Sequence, residues 1–331
     1  MSMMQAAVMR GPGGPEVLNI ETIPVPMPKN GQVLIKVIAF GLNRSELFTR
    51  QGHSQGVQFP RVLGIEAVGI VEHAPGGQFA PGDTVATVMG GMGRQFDGAY
   101  AEFACVPASQ VRKFSSDLPW KVLGAVPEMF QTAWGSLFRA LDLQPGERLL
   151  IRGGSTSVGL AAAGLACNHG AYVLSTTRQA TRTSLLIEHG ANEGIVDDGH
   201  LSASIAKVDK VLELVGTTTL ADSLLCTRPG GVVCMAGMVG DKWSFDSFAP
   251  MDAIPNYVRL TTYSGGVSEF MQMPLDSILT DIALGKLKVP IGRTAQLSEI
   301  AVAHRWMEQN QAEGKIVVLT SADLSSFGRS A

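Results

Sequence analysis

The residues best suited to chemistry form a loop of glycines and small hydroxyl side chains within ERLLIRGGSTSVGLAAAGLACNHG, from Glu147 to Gly170. An apolar run precedes the loop and a small-residue helix follows it, an order that presents backbone N–H groups and a helix N terminus to a pyrophosphate. Against the GxGxxG pattern, Gly154 and Gly159 keep the outer positions and Thr156 takes the middle one. The segment therefore predicts a dinucleotide site, with an ordinary strand-to-helix turn as the alternative. The predicted phosphate contacts are Gly154, Ser155, Thr156, Ser157 and Val158.

The end of the next predicted strand bears on which dinucleotide is bound. A site selective for NAD places Asp or Glu there to accept a hydrogen bond from the ribose 2′-hydroxyl, whereas a 2′-phosphate needs small polar and cationic groups. No acid occurs between Glu147 and Glu188, and the strand leads into Thr177 and Arg178, with Arg182 one turn later. Because a planar guanidinium binds phosphate through two hydrogen bonds, the sequence predicts NADPH. The alternative is that both arginines are solvated residues at the start of a helix.

The pattern of secondary structure changes near residue 120. Before it, short β-like runs alternate with Gly and Pro, which predicts a β-rich domain. After it, strands alternate with helices, which predicts βαβ units and a parallel sheet. The β-like runs are Ala6–Met9, Val33–Phe40, Ala67–Glu72, Thr84–Val88 and Ala99–Val106. The later elements are helix Met129–Leu141, strand Arg148–Arg152, helix Ser157–His169, strand Tyr172–Thr176, helix Thr181–His189, strand Gly194–Val196, a helix after His200, strand Val208–Leu214, helix Thr218–Cys226, strand Val232–Ala236, a strand after Arg259, helices Met273–Leu284 and Ser298–Gln309, and strand Lys315–Leu319.

Composition and charge argue against several classes of protein. Of 331 residues, 45% are apolar and 17% charged, and the net charge is −3, so neither nucleic acid nor an anionic membrane is favoured as a partner. No signal-peptide pattern and no long apolar run occurs, so we expect a soluble cytoplasmic protein. Cysteines occur singly, without a CxxC pair or a histidine at ligand spacing, which predicts free thiols and no structural zinc. They are Cys105, Cys167, Cys226 and Cys234.

Nine stretches, in order over nearly the whole chain, carry a family resemblance. They are VLIKVIAFGLNRSELFTRQG (Val33–Gly52), LGIEAVGIVE (Leu63–Glu72), PGDTVA (Pro81–Ala86), GAYAEF (Gly98–Phe103), QTAWGSLF (Gln131–Phe138), the glycine loop, KVLELVG (Lys210–Gly216), PGGVVCMAG (Pro229–Gly237) and GKIVVL (Gly314–Leu319). Together they resemble the medium-chain dehydrogenases/reductases, specifically the zinc-free quinone oxidoreductase branch.

The resemblance implies an α/β fold with two domains. Residues 1–123 and 262–331 would form a GroES-like, β-rich catalytic domain. Residues 124–261 would form a Rossmann NADP(H)-binding domain with a doubly wound parallel sheet, and the active site would lie in the cleft. We also expect a homodimer.

Zinc is where the sequence departs from the alcohol dehydrogenase branch. Where that branch has Cys and His ligands, this chain has Asn43 and Ile65, which cannot replace a thiolate and an imidazole. Without a Lewis acid, hydride addition to a conjugated acceptor is easier than ketone reduction, because charge spreads over an enolate or hydroquinone. We predict an NADPH-dependent, zinc-independent oxidoreductase of quinones or α,β-unsaturated carbonyls. The alternatives are a zinc-free ketone or alcohol dehydrogenase and a non-catalytic, crystallin-like NADPH-binding protein.

Candidate site residues follow from the resemblance and from their positions at strand ends. Asn43 matches a family asparagine near the nicotinamide and could instead cap a turn. His53 is a candidate proton donor or a merely exposed loop residue, and two pocket tyrosines of better-known relatives align with Phe48 and Ser54. Lys315 could reach phosphate or lie on the surface, and the Thr132 hydroxyl could equally bond within its own helix. The further expected cofactor contacts are Val215, Gly216, Ala236 and Gly237.

Overall fold

The computed structural model describes residues 2–320 and divides the chain into two compact units. The first unit holds the chain through Glu128, Gly266–Ala283 and the chain from Ile291 onward, and the second holds Met129–Gly265 and Leu284–Pro290. Among the described residues, no helix is long and apolar enough to cross a membrane.

Two sheets form the framework of the first unit. Its strands are β1 (Met3–Met9), β2 (Asn19–Pro24), β3 (Gln32–Gly41), β4 (Arg61–Val62), β5 (Glu66–His73), β6 (Thr84–Val88), β7 (Phe103–Pro107), β8 (Val111–Lys113), β15 (Ile291–Gln296) and β16 (Lys315–Leu319). The smaller sheet has the order β2-β1-β4 and the larger has the order β15-β16-β3-β5-β6-β8. Strand β3 pairs with β7 through its first half and with β16 through its last residues.

Strand β3 is central because its sequence, VLIKVIAF, is almost wholly apolar and rich in β-branched residues. Apart from Gln32 and Lys36, all its residues are buried. Its core-facing side chains pack with those of β1, β5 and Tyr100, whose ring stacks on Phe40 with centroids 5.0 Å apart. This packing holds the end of β3 in place, and the chain continues from there to Asn43, one of the candidate site residues.

Among residues 2–320, five α-helices belong to the first unit and a sixth begins at its boundary. They are α1 (Arg44–Arg50), α2 (Trp120–Leu123), α8 (Val267–Gln272), α9 (Leu275–Ala283) and α10 (Ile300–Glu308), with α3 (Pro127–Gly135) starting in the first unit and ending in the second. Helix α3 is shorter than the predicted Met129–Leu141 helix, because a single π-helical turn replaces its continuation at Ser136–Ala140.

One six-stranded parallel sheet forms the second unit. Its strands are β9 (Arg148–Arg152), β10 (Tyr172–Thr177), β11 (Glu193–Val196), β12 (Val208–Glu213), β13 (Thr227–Met235) and β14 (Arg259–Thr262), and its helices are α4 (Ser157–Asn168), α5 (Thr183–Glu188), α6 (Thr217–Cys226) and α7 (Pro250–Ala253). In the order β11-β10-β9-β12-β13-β14, the chain moves outward from β9 to β11 and then crosses to β12. This is the doubly wound Rossmann arrangement that the sequence predicts, and such sheets bind ligands at the strand ends where the order reverses.

Two predicted elements are wrong or too long. The α-helix predicted after His200 is wrong, because the short segment before β12, which begins at Val208, forms only the 3₁₀ turn Leu201–Ala203, whose first two N–H groups donate to Asp222 at 2.9 and 3.1 Å. The strand predicted over Ala99–Val106 is confined to β7, and Ala101 makes only an isolated bridge.

Candidate functional site

The glycine loop connects β9 to α4 and ends in a helix cap. Thr156 is the N-cap residue, with extended backbone, and its Oγ1 accepts a hydrogen bond from Gly159 N at 3.0 Å. Since the oxygen serves the helix, the hydroxyl proton of Thr156 is the part of the group left to face an anion. The first turn of α4 also contributes N–H groups that lack intrahelical acceptors. The loop thus has the geometry of a phosphate-binding helix N terminus.

Close packing explains why glycine occupies both outer positions of the loop. A Cβ at Gly159 would lie 2.7 Å from the Cα of Gly154, and a Cβ at Gly154 would overlap the Oγ of Ser175 on β10. The helix can approach the loop, and the loop the neighbouring strand, only because neither residue has a side chain.

The end of β10 places Thr177, Arg178 and Arg182 in different surroundings. Thr177 is buried and its Oγ1 accepts from Gln179 N at 3.2 Å, while Arg178 is exposed. Arg182 is half-buried at the end of a 3₁₀ turn. The adjacent strand β11 continues into Asp197, whose N–H donates to the Thr177 carbonyl at 2.9 Å. The strand end itself is therefore cationic, with an acid on the next strand.

Sequence reasoning missed Arg152, which is fully buried at the end of β9. Its Nε and Nη2 donate to the two carboxylate oxygens of Asp197 at 2.8 and 2.9 Å, and its Nη1 donates to Asp222 at 2.6 Å. Burial raises the pKa of Asp197, but the bonds from Arg152 outweigh it and hold that pKa below its usual range. The available signal was an arginine inside the apolar run LLIRGG.

Glu213, at the end of β12, organises the other predicted cofactor contacts. Its Oε1 accepts from the N–H groups of Val215 and Gly216 at 2.7 and 3.0 Å, and its own carbonyl accepts from Ala236 N at 2.9 Å and Gly237 N at 3.3 Å. Burial raises the pKa of Glu213 despite these bonds. All four residues thus lie together at the strand ends, with their N–H groups already bonded within the protein.

Asn43 lies in the first unit, where it caps helix α1 and is largely buried. Its Nδ2 donates to Glu66 Oε1 at 3.0 Å and to Glu46 Oε1 at 3.3 Å, and its Oδ1 accepts from Lys315 Nζ at 2.5 Å. Since an amide carries two protons, both donors of Asn43 are in use. Only the second lone pair of Oδ1 is left for another molecule.

Lys315 and Glu66 form the centre of a buried ionic cluster around Asn43. Lys315 Nζ lies 2.8 Å from Glu66 Oε1 and 3.7 Å from Glu128 Oε2, while Glu66 Oε2 accepts from Glu128 N at 2.9 Å. Burial lowers the pKa of Lys315, but the carboxylates of Glu66 and Glu128 outweigh it, so the net change is upward. An ammonium held in this way is a structural cation of the first unit.

Glu46 completes this cluster, and burial changes its pKa. Both its oxygens accept backbone N–H bonds, from Asn43 at 3.0 Å and Ile65 at 3.1 Å. Burial raises its pKa to about 7. The first unit therefore contains a carboxyl group that changes charge near neutral pH.

The other predicted site residues are spread over both units. His53 is exposed and its ring lies edge-on to Phe48 with centroids 6.5 Å apart, and Ser54 Oγ lies 2.8 Å from Thr49 Oγ1. Thr132 is half-buried on α3 in the second unit. The structure brings the phosphate-loop and strand-end residues together in the second unit and Asn43 and Lys315 together in the first.

Comparison with known proteins agrees with this architecture. The model of the alcohol dehydrogenase GroES-like domain matches residues 29–116, and that of the zinc-binding dehydrogenases matches residues 189–318. A quinone oxidoreductase of Pongo abelii is 30% identical over 93% of this chain and 95% of its own length. A 2-haloacrylate reductase of a Burkholderia species is 28% identical over 97% of this chain and 100% of its own. A mycobacterial structure in complex with NADPH is 26% identical, with a TM-score of 0.85 over 96% of this chain and 100% of that one.

A GroES-like domain combined with a Rossmann sheet defines an oxidoreductase that uses a nicotinamide cofactor. The chain belongs to the medium-chain dehydrogenase/reductase superfamily, in its quinone oxidoreductase branch.

The residues present do not fit the zinc ion that the second family description mentions. Among the described residues, no group of three or more His, Cys, Asp or Glu side chains could hold a metal. Ile65 is buried in the core, and Asn43 is engaged by Lys315. Cys226 and Cys234 are single buried thiols, and burial raises the pKa of each to about 12. The described residues therefore offer no donor set that suits zinc, and independence from zinc stays a prediction.

Proposed function

We propose that this protein is an NADPH-dependent, zinc-independent oxidoreductase that transfers hydride to a quinone or an α,β-unsaturated carbonyl compound. The observation that carries the proposal is the end of β10, where Thr177, Arg178 and Arg182 stand beside a phosphate-binding loop and no carboxylate occupies the strand end. Such an edge suits a 2′-phosphate better than a free 2′-hydroxyl.

The bound cofactor would supply the hydride, and the chain's own residues would bind and orient it. The N terminus of α4, with Thr156, would hold the pyrophosphate, and Arg178 with Arg182 the 2′-phosphate. Thr132 and the carbonyl groups of Val215, Gly216, Ala236 and Gly237 complete the proposed contacts. The ammonium of Lys315, held among carboxylates, is left with a structural role.

The choice of acceptor rests on the charge that develops during the reaction. Reduction of a simple ketone concentrates charge on one oxygen, which a metal usually stabilises, whereas a quinone or enone spreads it. The names of the two relatives, a quinone oxidoreductase and a reductase of a haloacrylate, support acceptors of this kind. The exposed imidazole of His53 is the proposed donor to the substrate, and Asn43 Oδ1, which can only accept, is the proposed partner of the carboxamide N–H of the cofactor.

The experiment compares NADPH and NADH consumption with a panel of quinones, enones and saturated ketones. We expect turnover with conjugated acceptors, unaffected by chelators, and about tenfold weaker NADPH binding in Arg178→Ala, since one charge-assisted bond is lost. Arg305→Ala, an exposed arginine on α10, is the control. Equal use of NADH, with no effect of Arg178→Ala, would refute the 2′-phosphate assignment.

The same panel decides between the alternatives. Faster turnover of saturated ketones would identify a ketone or alcohol dehydrogenase. NADPH binding without oxidation by any acceptor would identify a non-catalytic binding protein. The proposed homodimer is checked by light scattering; β11 and β14, the two outer strands of the six-stranded sheet, are the edges at which a second copy could pair.

A further inference from the structure

Three acids surround the strand ends of the second unit, although none lies at the end of β10. Asp197 follows β11, Glu213 ends β12 and Asp222 lies on α6. The acid that accepts a hydrogen bond from the ribose 2′-hydroxyl of NAD stands at the end of the second strand of a Rossmann sheet, which is β10 here, and Asp197 is bonded to that strand end from the neighbouring strand. An edge proposed to bind a 2′-phosphate must therefore keep these carboxylates from the nucleotide.

Arg152 engages two of the three acids directly. Its guanidinium bridges both oxygens of Asp197 and also contacts Asp222 Oδ2, and its Nη1 lies 3.3 Å from both the Thr219 carbonyl and Ser223 Oγ. The third acid, Glu213, is satisfied by backbone N–H groups and by the hydroxyls of Thr219 and Ser223. Asp197 and Asp222 thus share the buried guanidinium of Arg152 as their cation.

Asp197 is the acid closest to the proposed 2′-phosphate contacts. Its backbone N–H bonds the Thr177 carbonyl, and its carboxylate is fully used. Oδ1 accepts from Arg152 Nη2 and from Gly199 N, each at 2.9 Å, and Oδ2 accepts from Arg152 Nε at 2.8 Å and Thr176 Oγ1 at 3.2 Å. Thr176 Oγ1 in turn accepts from Gly153 N at 3.1 Å, at the start of the glycine loop.

We propose that Arg152 sets the coenzyme preference by holding Asp197 away from the nucleotide, an inference that rests on the proposed use of NADPH. The guanidinium bonds both oxygens of Asp197 and reduces the negative charge that this carboxylate presents. Without Arg152, an unpaired carboxylate would lie beside Thr177 on the neighbouring strand. There it would repel a 2′-phosphate and accept a hydrogen bond from a 2′-hydroxyl. Arg152 touches neither coenzyme and acts as a positioning residue.

The test measures the dissociation constants of NADPH and NADH separately, by titration calorimetry. In Arg152→Met we expect NADPH to bind at least about tenfold more weakly relative to NADH, from one uncompensated charge. In the double variant Arg152→Met, Asp197→Asn, the ratio should return to within about twofold of the parent. The matched control is Arg152→Met with Asp198→Asn, which removes an exposed neighbouring acid that Arg152 does not hold and should not restore the ratio.

A purely structural role for Arg152 would weaken both coenzymes equally in Arg152→Met, and the second substitution would restore nothing. Should Arg152→Met fail to fold, Asp197→Asn alone remains decisive. A carboxylate withheld from the nucleotide leaves the ratio within about twofold of the parent, whereas a shift of about tenfold would mean that Asp197 contacts the ribose and would overturn the inference. Failure of the proposed function would appear in the parent protein, as a preference for NADH before any substitution.

Discussion

The two units each bury a cation among carboxylates, and they do so with different chemistry. In the second unit, the fork of Arg152 meets Asp197 through two parallel bonds and Asp222 through a third. In the first, the ammonium of Lys315 faces Glu66, Glu128 and Asn43. A planar guanidinium can donate two parallel hydrogen bonds to the two oxygens of one carboxylate, whereas an ammonium is a point charge with three protons.

The difference appears in how the acids titrate. Burial acts to raise the pKa of Asp197 and Asp222, but bonds from Arg152 to Asp197, and from Ser202 and Arg152 to Asp222, hold both pKa values below their usual range. In the Lys315 cluster, Glu46 receives backbone N–H groups instead of a cation, and burial raises its pKa to about 7. We therefore expect the cluster of Arg152, Asp197 and Asp222 to keep its charges near neutral pH and the stability of the first unit to respond to pH through Glu46.

The largest expected effect is that of Lys315→Met. It leaves Glu66 buried without its cation, which should lower the free energy of unfolding by about 3–5 kcal/mol, measured by urea denaturation. Adding Glu66→Gln should recover a large part of the loss, because the unpaired charge is then gone. Lys36→Met, at the exposed lysine of β3, is the control. A double variant less stable than Lys315→Met would show that charge pairing is not what Lys315 supplies.

Glu46→Gln should change how stability depends on pH. The folded pKa of about 7 exceeds the ordinary value of 4.5, so folding takes up a proton. The resulting stabilisation is full below about pH 4.5 and is lost as the pH rises through 7, a difference of about 3 kcal/mol. Urea denaturation at pH 5 and pH 8 should show this drop in the parent and in Glu72→Gln, an exposed control, but not in Glu46→Gln. The same drop in Glu46→Gln would assign the titration to another group.

The smallest effect should come from Asp222→Asn. Arg152 keeps both bonds to Asp197, while the bonds that Asp222 accepts from Arg152 and from the N–H groups of Leu201 and Ser202 are weakened, and we expect a loss of about 2 kcal/mol in unfolding free energy. The measurement is again urea denaturation. A loss of unfolding free energy as large as that in Lys315→Met would mean that the Arg152 cluster depends on Asp222 as strongly as the other cluster depends on Lys315.

The sequence predicted the fold class, the parallel strands and the glycine loop, because these depend on local patterns of apolar residues and glycine. It did not reveal the partners of Arg152, which lie 45 and 70 residues away, or that of Lys315. Pairing over such distances is set by strand order, which no local pattern records. The helix expected after His200 was wrong because the segment before β12 is too short for more than a 3₁₀ turn.

Several other expectations stay predictions. They include the cytoplasmic location, the homodimer, the domain bounds, the independence from zinc and the roles of Asn43 and His53. Asn43 shows why: its type and position agree with either proposed role, and the bonds to Lys315 and Glu66 account for all but one lone pair of its amide.

The position of β16 late in the sequence affects when the first unit can complete its folding during synthesis. Lys315 is the first residue of this strand, near the end of the described chain. It nevertheless pairs with Glu66, and its strand pairs with β3, which is made much earlier. A ribosome has therefore released all six strands of the second unit before the first unit can neutralise its buried acid. The part of the chain made first is completed last, and a truncation before Lys315 would leave it without its cation.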